Sequence, residues 1–132
     1  MEELYAVTDL LYKGGSPMPS RDLTENEAIA LAEGTKPHKP WCIVKNWIWV
    51  DLEVSLEAQE AIQKTGYSPV MMYAHYVIND SKGRFNRGDW VRSTPLLTFA
   101  EQCLFETRNT IYVLTGEGTR KNAKPSTLMK IF

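Results

Sequence analysis

The sequence has few of the residues that metal and redox sites require. Two histidines and two cysteines occur among 132 residues, and Cys42 and Cys103 lie far apart. A structural zinc site usually needs four such ligands, so we expect neither a metal nor another cofactor. Two distant cysteines in a chain without a secretion signal are more often buried free thiols than a disulfide.

Long apolar runs are also missing. No stretch approaches the roughly 20 apolar residues of a membrane-spanning helix. The N-terminal segment, MEELYAVTDLLYKGG, is acidic and lacks the pattern of a signal peptide. We therefore expect a cytoplasmic protein without a membrane partner.

Recognised catalytic motifs are absent as well. Gly116-Glu117-Gly118 is similar to a fragment of a phosphate-binding loop, but no predicted helix follows it, as such a loop requires. A dispersed Cys/His site made by Cys103, His75 and Glu106 stays open as an alternative, because catalytic partners need not be adjacent in sequence. A lone strand histidine is more often structural, so we predict a protein without catalytic residues.

The clearest structural pattern lies in residues 103–114. Two β-rich runs, 103–107 and 110–114, are joined by Arg108-Asn109, and a two-residue connection predicts a tight antiparallel hairpin. In this register Phe105 faces Tyr112, which is a favourable cross-strand pair. The same register pairs Leu104 with Val113 and Thr107 with Thr110.

Other segments show helix and strand signals in a mixed order. Apolar spacing predicts a helix at 2–12, and the caps Thr24 and Ser55 each predict the start of another. Residues 41–54 read as one long strand or as a hairpin turning at Lys45-Asn46, and 70–78 as a further strand. The sequence thus predicts an α+β domain with a mostly antiparallel sheet of about four to six strands and two or three helices on one face.

One domain is expected to span residues 1–132. Its parts would be a helical N-terminal region at 1–40, a sheet core at 41–115 and a basic tail at 116–132. The Gly-rich segment GEGTRKNAKP is typical of a mobile tail. Three apolar residues beyond it are expected to dock back onto the core: Leu128, Ile131 and Phe132.

Charge is divided unevenly along the chain. Residues 1–60 carry 5 Lys/Arg against 11 Asp/Glu, for a net −6, whereas residues 61–132 carry 10 against 5, for a net +5. Such asymmetry indicates either electrostatic binding of a partner or two halves whose charges balance when they pack together. The pI of about 6.1 argues against strong nucleic-acid binding.

Two sets of side chains are candidates for partner contact. Arginine binds carboxylates and phosphates through a planar fork, and turns are common positions for functional residues. The first set therefore comprises the arginines at or near predicted turns: Arg84, Arg87, Arg92 and Arg108. The second set, Trp47 and Trp49, shares one strand face and is partly exposed unless the strand is covered on both sides.

The runs GDWVRS and FETRNTIYVL resemble those of a family of short uncharacterised proteins from bacterial and prophage genomes. The resemblance covers Val70 to Lys121 and carries no active site. It implies a small accessory protein that binds a host protein or ribonucleoprotein complex, as anti-CRISPR proteins do. We therefore expect a non-enzymatic binding module that occludes or displaces a subunit; a small enzyme and a nucleic-acid-binding regulator are the alternatives.

The hairpin interpretation leads to a stability prediction. If Phe105 lies in the core, Phe105→Ala should cost about 3–5 kcal/mol, because it removes a large buried ring and leaves a cavity. Thermal or urea denaturation of both proteins measures this difference. An unchanged melting temperature would contradict the burial of this side chain.

Overall fold

A computed structural model describes residues 2–131 and contains an eight-stranded sheet with four helices. The helices are α1 (Glu2–Tyr12), α2 (Glu25–Thr35), α3 (Leu56–Lys64) and α4 (Pro125–Leu128). The strands are β1 (Ser16–Met18), β2 (Trp41–Leu52), β3 (Val70–Asp80), β4 (Val91–Arg92), β5 (Thr98–Ala100), β6 (Leu104–Glu106), β7 (Ile111–Leu114) and β8 (Gly118–Ala123).

Strand β2 lies at the centre of this sheet. One edge of β2 pairs antiparallel with β3, and the other edge pairs parallel first with β7 and then with β8. The remaining pairings, β1–β8, β3–β4, β5–β6 and β6–β7, are antiparallel. The predicted α+β class with a mostly antiparallel sheet is therefore confirmed, although the sheet has more strands than expected and two parallel pairings.

The sheet curls until its two sides meet. The segment from β4 to β5 bonds to β3 on one side, where the Leu96 amide donates to the Val70 carbonyl at 2.9 Å. On the other side the Leu97 amide donates to the Glu106 carbonyl of β6 at 2.8 Å. This segment connects the β3 side to the β6 side, so the curled sheet encloses an apolar interior.

Apolar side chains fill both surfaces of the curled sheet. The inner cluster includes Trp47, Trp49 and Phe105, all buried. On the outer surface, α2 covers one cluster with Ala28 and Ala32, while α1 and α4 cover another. Because β2 contributes to all three clusters, it is buried on both faces along most of its length.

Local signals placed α1, α2 and α3 correctly, whereas α4 was not predicted. Helix α2 begins at a capping box in which the Glu27 amide donates to the Thr24 hydroxyl and the Thr24 amide donates to the Glu27 carboxylate. Ser55 caps α3 in the predicted position. Helix α3 has no buried residue, so it lies outside the core.

The predicted hairpin is confirmed with its register. Phe105 pairs with Tyr112 and Leu104 with Val113, and the Thr107 amide donates to the Thr110 carbonyl at 2.9 Å. Phe105 is fully buried.

Two expectations about chain segments are corrected. Residues 41–52 form one strand, so the alternative of a hairpin at Lys45-Asn46 is wrong. The segment expected to be a mobile tail forms β8, which pairs with both β1 and β2, and continues into α4. Its backbone is fixed by these two neighbours, which composition alone does not reveal. Leu128 and Ile131 are buried as expected, and Phe132 lies outside the described residues.

The indole of Trp47 occupies the break between β7 and β8. Its Nε1 donates to the carbonyls of Thr115 and Gly116 at 3.2 and 3.1 Å, so both are satisfied where strand pairing stops. The ring lies against Gly118, where an added Cβ would approach Trp47 Cδ2 to 2.3 Å. Asn46, the residue before Trp47, has a positive φ of 53°, which is uncommon for a residue other than glycine.

This close approach predicts the effect of enlarging Gly118. Gly118→Ala should lower the free energy of unfolding by at least about 2 kcal/mol, because the methyl group overlaps a buried ring that two hydrogen bonds hold in place. Gly34→Ala is the matched control: Gly34 lies in α2 with open space around it, and there the methyl group should stabilise by about 0.5–1 kcal/mol. Urea denaturation measures both values, and equal effects at the two sites would refute the packing argument.

Candidate protein-binding surface

Of the arginines predicted to contact a partner, Arg84 is held within the fold. Its guanidinium bonds to both carboxylate oxygens of Asp80 at 2.7 and 3.0 Å and donates to the Thr110 hydroxyl at 3.0 Å. Desolvation alone would raise the pKa of Asp80, but the hydrogen bonds and charge of Arg84 lower it below its ordinary value. Arg84 therefore joins the turn after β3 to the β6–β7 hairpin, which places the two predicted turns side by side.

The other three arginines differ in their surroundings. Arg87 forms an ion pair with Glu25 of α2 at 2.6 Å. Arg92 donates to the Leu128 carbonyl at 2.8 Å and so anchors α4 to β4. Arg108 is exposed at the tip of the hairpin and makes no side-chain hydrogen bond or ion pair with residues 2–131. Of this set, Arg108 alone has a side chain not engaged within the described fold.

Trp47 and Trp49, expected to be partly exposed unless their strand is covered on both sides, are buried. Trp47 is 1% and Trp49 is 7% exposed. Phe99 and Phe105 contact the Trp49 ring edge-on at 5.0 and 5.4 Å. Of the two alternatives, the strand covered on both faces is the correct one, so the proposed partner contact of Trp47 and Trp49 is wrong.

Large exposed apolar side chains concentrate instead on α1, α4 and the start of β4. Tyr12 is 74% exposed, Met129 60% and Trp90 40%. Leu4 and Tyr5 on α1 are similarly exposed. These exposed side chains were not predicted from the sequence, although α1 carries a signal for them. Its inward side chains are Val7, Leu10 and Leu11. Leu4, Tyr5 and Tyr12 form a second apolar stripe on the same helix. A helix that is apolar on two sides is a signal of a second contact.

Ring contacts connect two of these exposed side chains, Tyr12 and Trp90, through the half-buried His75 and the buried Tyr73. Tyr12 stacks on His75 at 5.6 Å, and His75 lies edge-on to Tyr73 at 4.9 Å. Tyr73 stacks on Trp90 at 6.0 Å. From there Arg92 reaches α4, where it lies 3.4 Å from the Met129 sulfur. We call Tyr12, His75, Trp90 and Met129 the aromatic surface.

The fold does not bring Cys103, His75 and Glu106 together into the Cys/His site that the sequence left open as an alternative. Cys103 is buried in the cluster beneath α2, and desolvation raises the pKa of its thiol, which opposes thiolate formation. His75 lies beneath α1, where a ring nitrogen is 3.0 Å from the Leu11 carbonyl. Glu106 is bonded to Lys36 and Lys39. Each of the three has its own neighbours, and none of these contacts joins one to another.

Glu106 belongs to a polar network at the end of the hairpin. Lys36 and Lys39 each donate to its Oε2 at 2.6 Å, and the Thr98 hydroxyl donates to Oε1 at 2.8 Å. Desolvation alone would raise the pKa of Glu106, but these hydrogen bonds lower it to about 2. The network ties the loop before β2 to β5 and β6.

Ion pairs also connect the oppositely charged halves of the chain. Acidic residues of the first half pair with arginines of the second in Glu25–Arg87 and Asp51–Arg120, both at 2.6 Å. These contacts favour the interpretation that part of the charge asymmetry is balanced internally.

The structure thus defines a single-domain α+β protein with an exposed aromatic surface. The chain belongs to the family described as a domain of unknown function, DUF6957, whose model matches residues 19–130. No curated protein and no solved structure matches the chain. Helix α1 and strand β1 precede the matched residues. Among residues 2–131, no helix is long and apolar enough to cross a membrane.

The Glu106 network predicts a specific loss of stability in acid. Because the folded-state pKa is about 2 and the ordinary value is near 4.5, the ionised carboxylate stabilises the fold fully above about pH 5 and progressively less towards pH 2. From pH 5 to pH 2 the free energy of unfolding should therefore fall by about 3 kcal/mol more in the unaltered protein than in Glu106→Gln.

Denaturation at several pH values checks this difference. Glu57→Gln, at an exposed position of α3, is the control and should follow the unaltered protein. Parallel pH profiles for the protein and Glu106→Gln would show that Glu106 does not carry the effect.

Proposed function

We propose that this protein is a non-enzymatic protein-binding module whose partner contacts the aromatic surface. The supporting observation is that Tyr12, Trp90 and Met129 are exposed and belong to one series of contacts, which passes through His75, Tyr73 and Arg92. Contiguous exposed apolar side chains favour protein contact, and Trp and Tyr are enriched among the residues that dominate binding energy.

The kind of partner follows from the resemblance noted in the sequence. We propose a host protein or ribonucleoprotein complex, blocked by occlusion or displacement of a subunit, as an inhibitor of the anti-CRISPR type would do. The family to which the chain belongs has no assigned function, so it does not identify the partner. The resemblance of the GDWVRS and FETRNTIYVL runs is what supports the finer proposal.

Affinity capture from host-cell lysate tests the binding surface. Tyr12→Ser and Trp90→Ser should each weaken capture of the partner about fivefold or more, since truncating a central aromatic contact usually costs more than about 1 kcal/mol. Leu56→Ser is the matched control, because Leu56 is 79% exposed on α3, which lies outside the aromatic surface. A partner retained equally by all variants would contradict the proposed surface.

The turns that carry Arg84 and Arg108 are a second candidate for partner contact. Their side-chain contacts decide which arginine can be changed without disturbing the fold. Arg84→Glu is unsuitable because it breaks the Asp80 ion pair and would destabilise the fold. Arg108→Glu changes an exposed side chain without a partner in residues 2–131. If these turns bind an acidic partner, Arg108→Glu should slow association at low salt while the melting temperature stays unchanged.

A further inference from the structure

A hollow at the start of β4 shares Trp90 with the aromatic surface. Its volume is about 400 Å³, and five residues line it: Phe85, Asp89, Trp90, Val91 and Arg92. Phe85 is half-buried and packs against the inner cluster, whereas Asp89 and Trp90 are exposed.

Trp90 presents one open ring face. Its other face stacks on Tyr73, with a centroid distance of 6.0 Å and an interplanar angle of 23°. The indole remains 40% exposed. The face of an indole carries negative electrostatic potential and is the best aromatic acceptor for a cation.

Asp89 supplies a carboxylate beside this ring. Its Oδ2 accepts a hydrogen bond from the Asn86 amide at 2.8 Å, which fixes the turn before β4. Its Oδ1 has no hydrogen-bond partner among residues 2–131. One oxygen is therefore available to a ligand while the other holds the side chain in place.

The neighbouring arginines are directed elsewhere. Arg92 is bound to the Leu128 carbonyl, and Arg87 is paired with Glu25. Arg84 lies over the Phe85 ring at 5.6 Å, but its charge is balanced by Asp80. None of these three forms an ion pair with Asp89, although each lies within five positions of it in the chain.

We propose that this hollow receives an arginine or lysine side chain from a basic segment of the partner protein. The cation would rest on the open face of Trp90 and pair with Asp89, while the adjacent aromatic surface takes apolar side chains. This inference rests on the proposed function, since it names the chemistry that the partner brings to the same region. A carboxylate next to an aromatic face selects for positive charge because both contacts weaken when the ligand is neutral.

Titration of the full chain with a minimal probe tests the hollow directly. Two-dimensional ¹H–¹⁵N NMR follows the indole N–H signal of Trp90, which is assigned by its loss in Trp90→Leu. Nα-acetyl-arginine amide should shift this signal saturably, and the neutral analogue Nα-acetyl-citrulline amide should bind at least threefold more weakly. Asp89→Asn should weaken the arginine probe by a similar factor, whereas Glu57→Gln, on the exposed side of α3, should not change it.

The outcomes separate this inference from the proposed function. An absent shift, equal binding of both probes or an unaffected Asp89→Asn variant would each overturn the cation site. The captured partner supplies the second readout. If Trp90→Ser abolishes capture but Asp89→Asn leaves it unchanged, the cation site fails and the protein-binding function stands. If capture is also unaffected by Trp90→Ser and Tyr12→Ser, the proposed surface itself fails.

Discussion

The fit of Trp47 into the break between β7 and β8 is the constraint on which the sheet depends. A twelve-residue strand, β2, pairs in parallel with two successive strands that are interrupted at Thr115–Glu117. The interruption leaves carbonyls inside the protein without strand partners, and the Trp47 indole satisfies two of them. A buried carbonyl without a hydrogen-bond partner destabilises the folded state. The two hydrogen bonds from the indole therefore offset the cost of interrupting the strand pairing. Gly118 is required opposite it because any side chain would occupy the space of the ring.

Charged side chains in this fold hold segments together that the sheet does not join. Arg84 connects the turn after β3 to the hairpin, Arg92 connects β4 to α4, and Lys39 connects the loop before β2 to Glu106. Arginine and lysine at turns are therefore not by themselves evidence of a binding surface. Here most of the predicted arginines already have partners within the fold, whereas the apolar side chains of Tyr12, Trp90 and Met129 are exposed.

Features set by neighbouring residues could be predicted from the sequence. The hairpin register follows from a two-residue turn and paired β-rich runs, and the start of α2 follows from Thr24 and Glu27. Features set by distant residues could not. Burial of Trp49 depends on Phe99 and Phe105, which reach it only because the sheet curls. Residues 118–123 form a strand because they pair with β1 on one side and β2 on the other. Their polar composition gives no indication of this pairing.

The aromatic surface also depends on residues that are distant in the sequence. Tyr12 lies before the residues that the family model matches, whereas Trp90 and Met129 lie within them. Helix α1 is held by Leu10 in the core and by Lys121, whose ammonium donates to the Leu10 and Lys13 carbonyls. These contacts fix the end of α1 next to His75, so that Tyr12 extends a row of rings that begins at Trp90. If the proposed partner binds here, rings that already contact one another would need less ordering than free side chains, which lowers the entropy cost of binding. The surface is thus a joint product of the matched domain and the helix that precedes it.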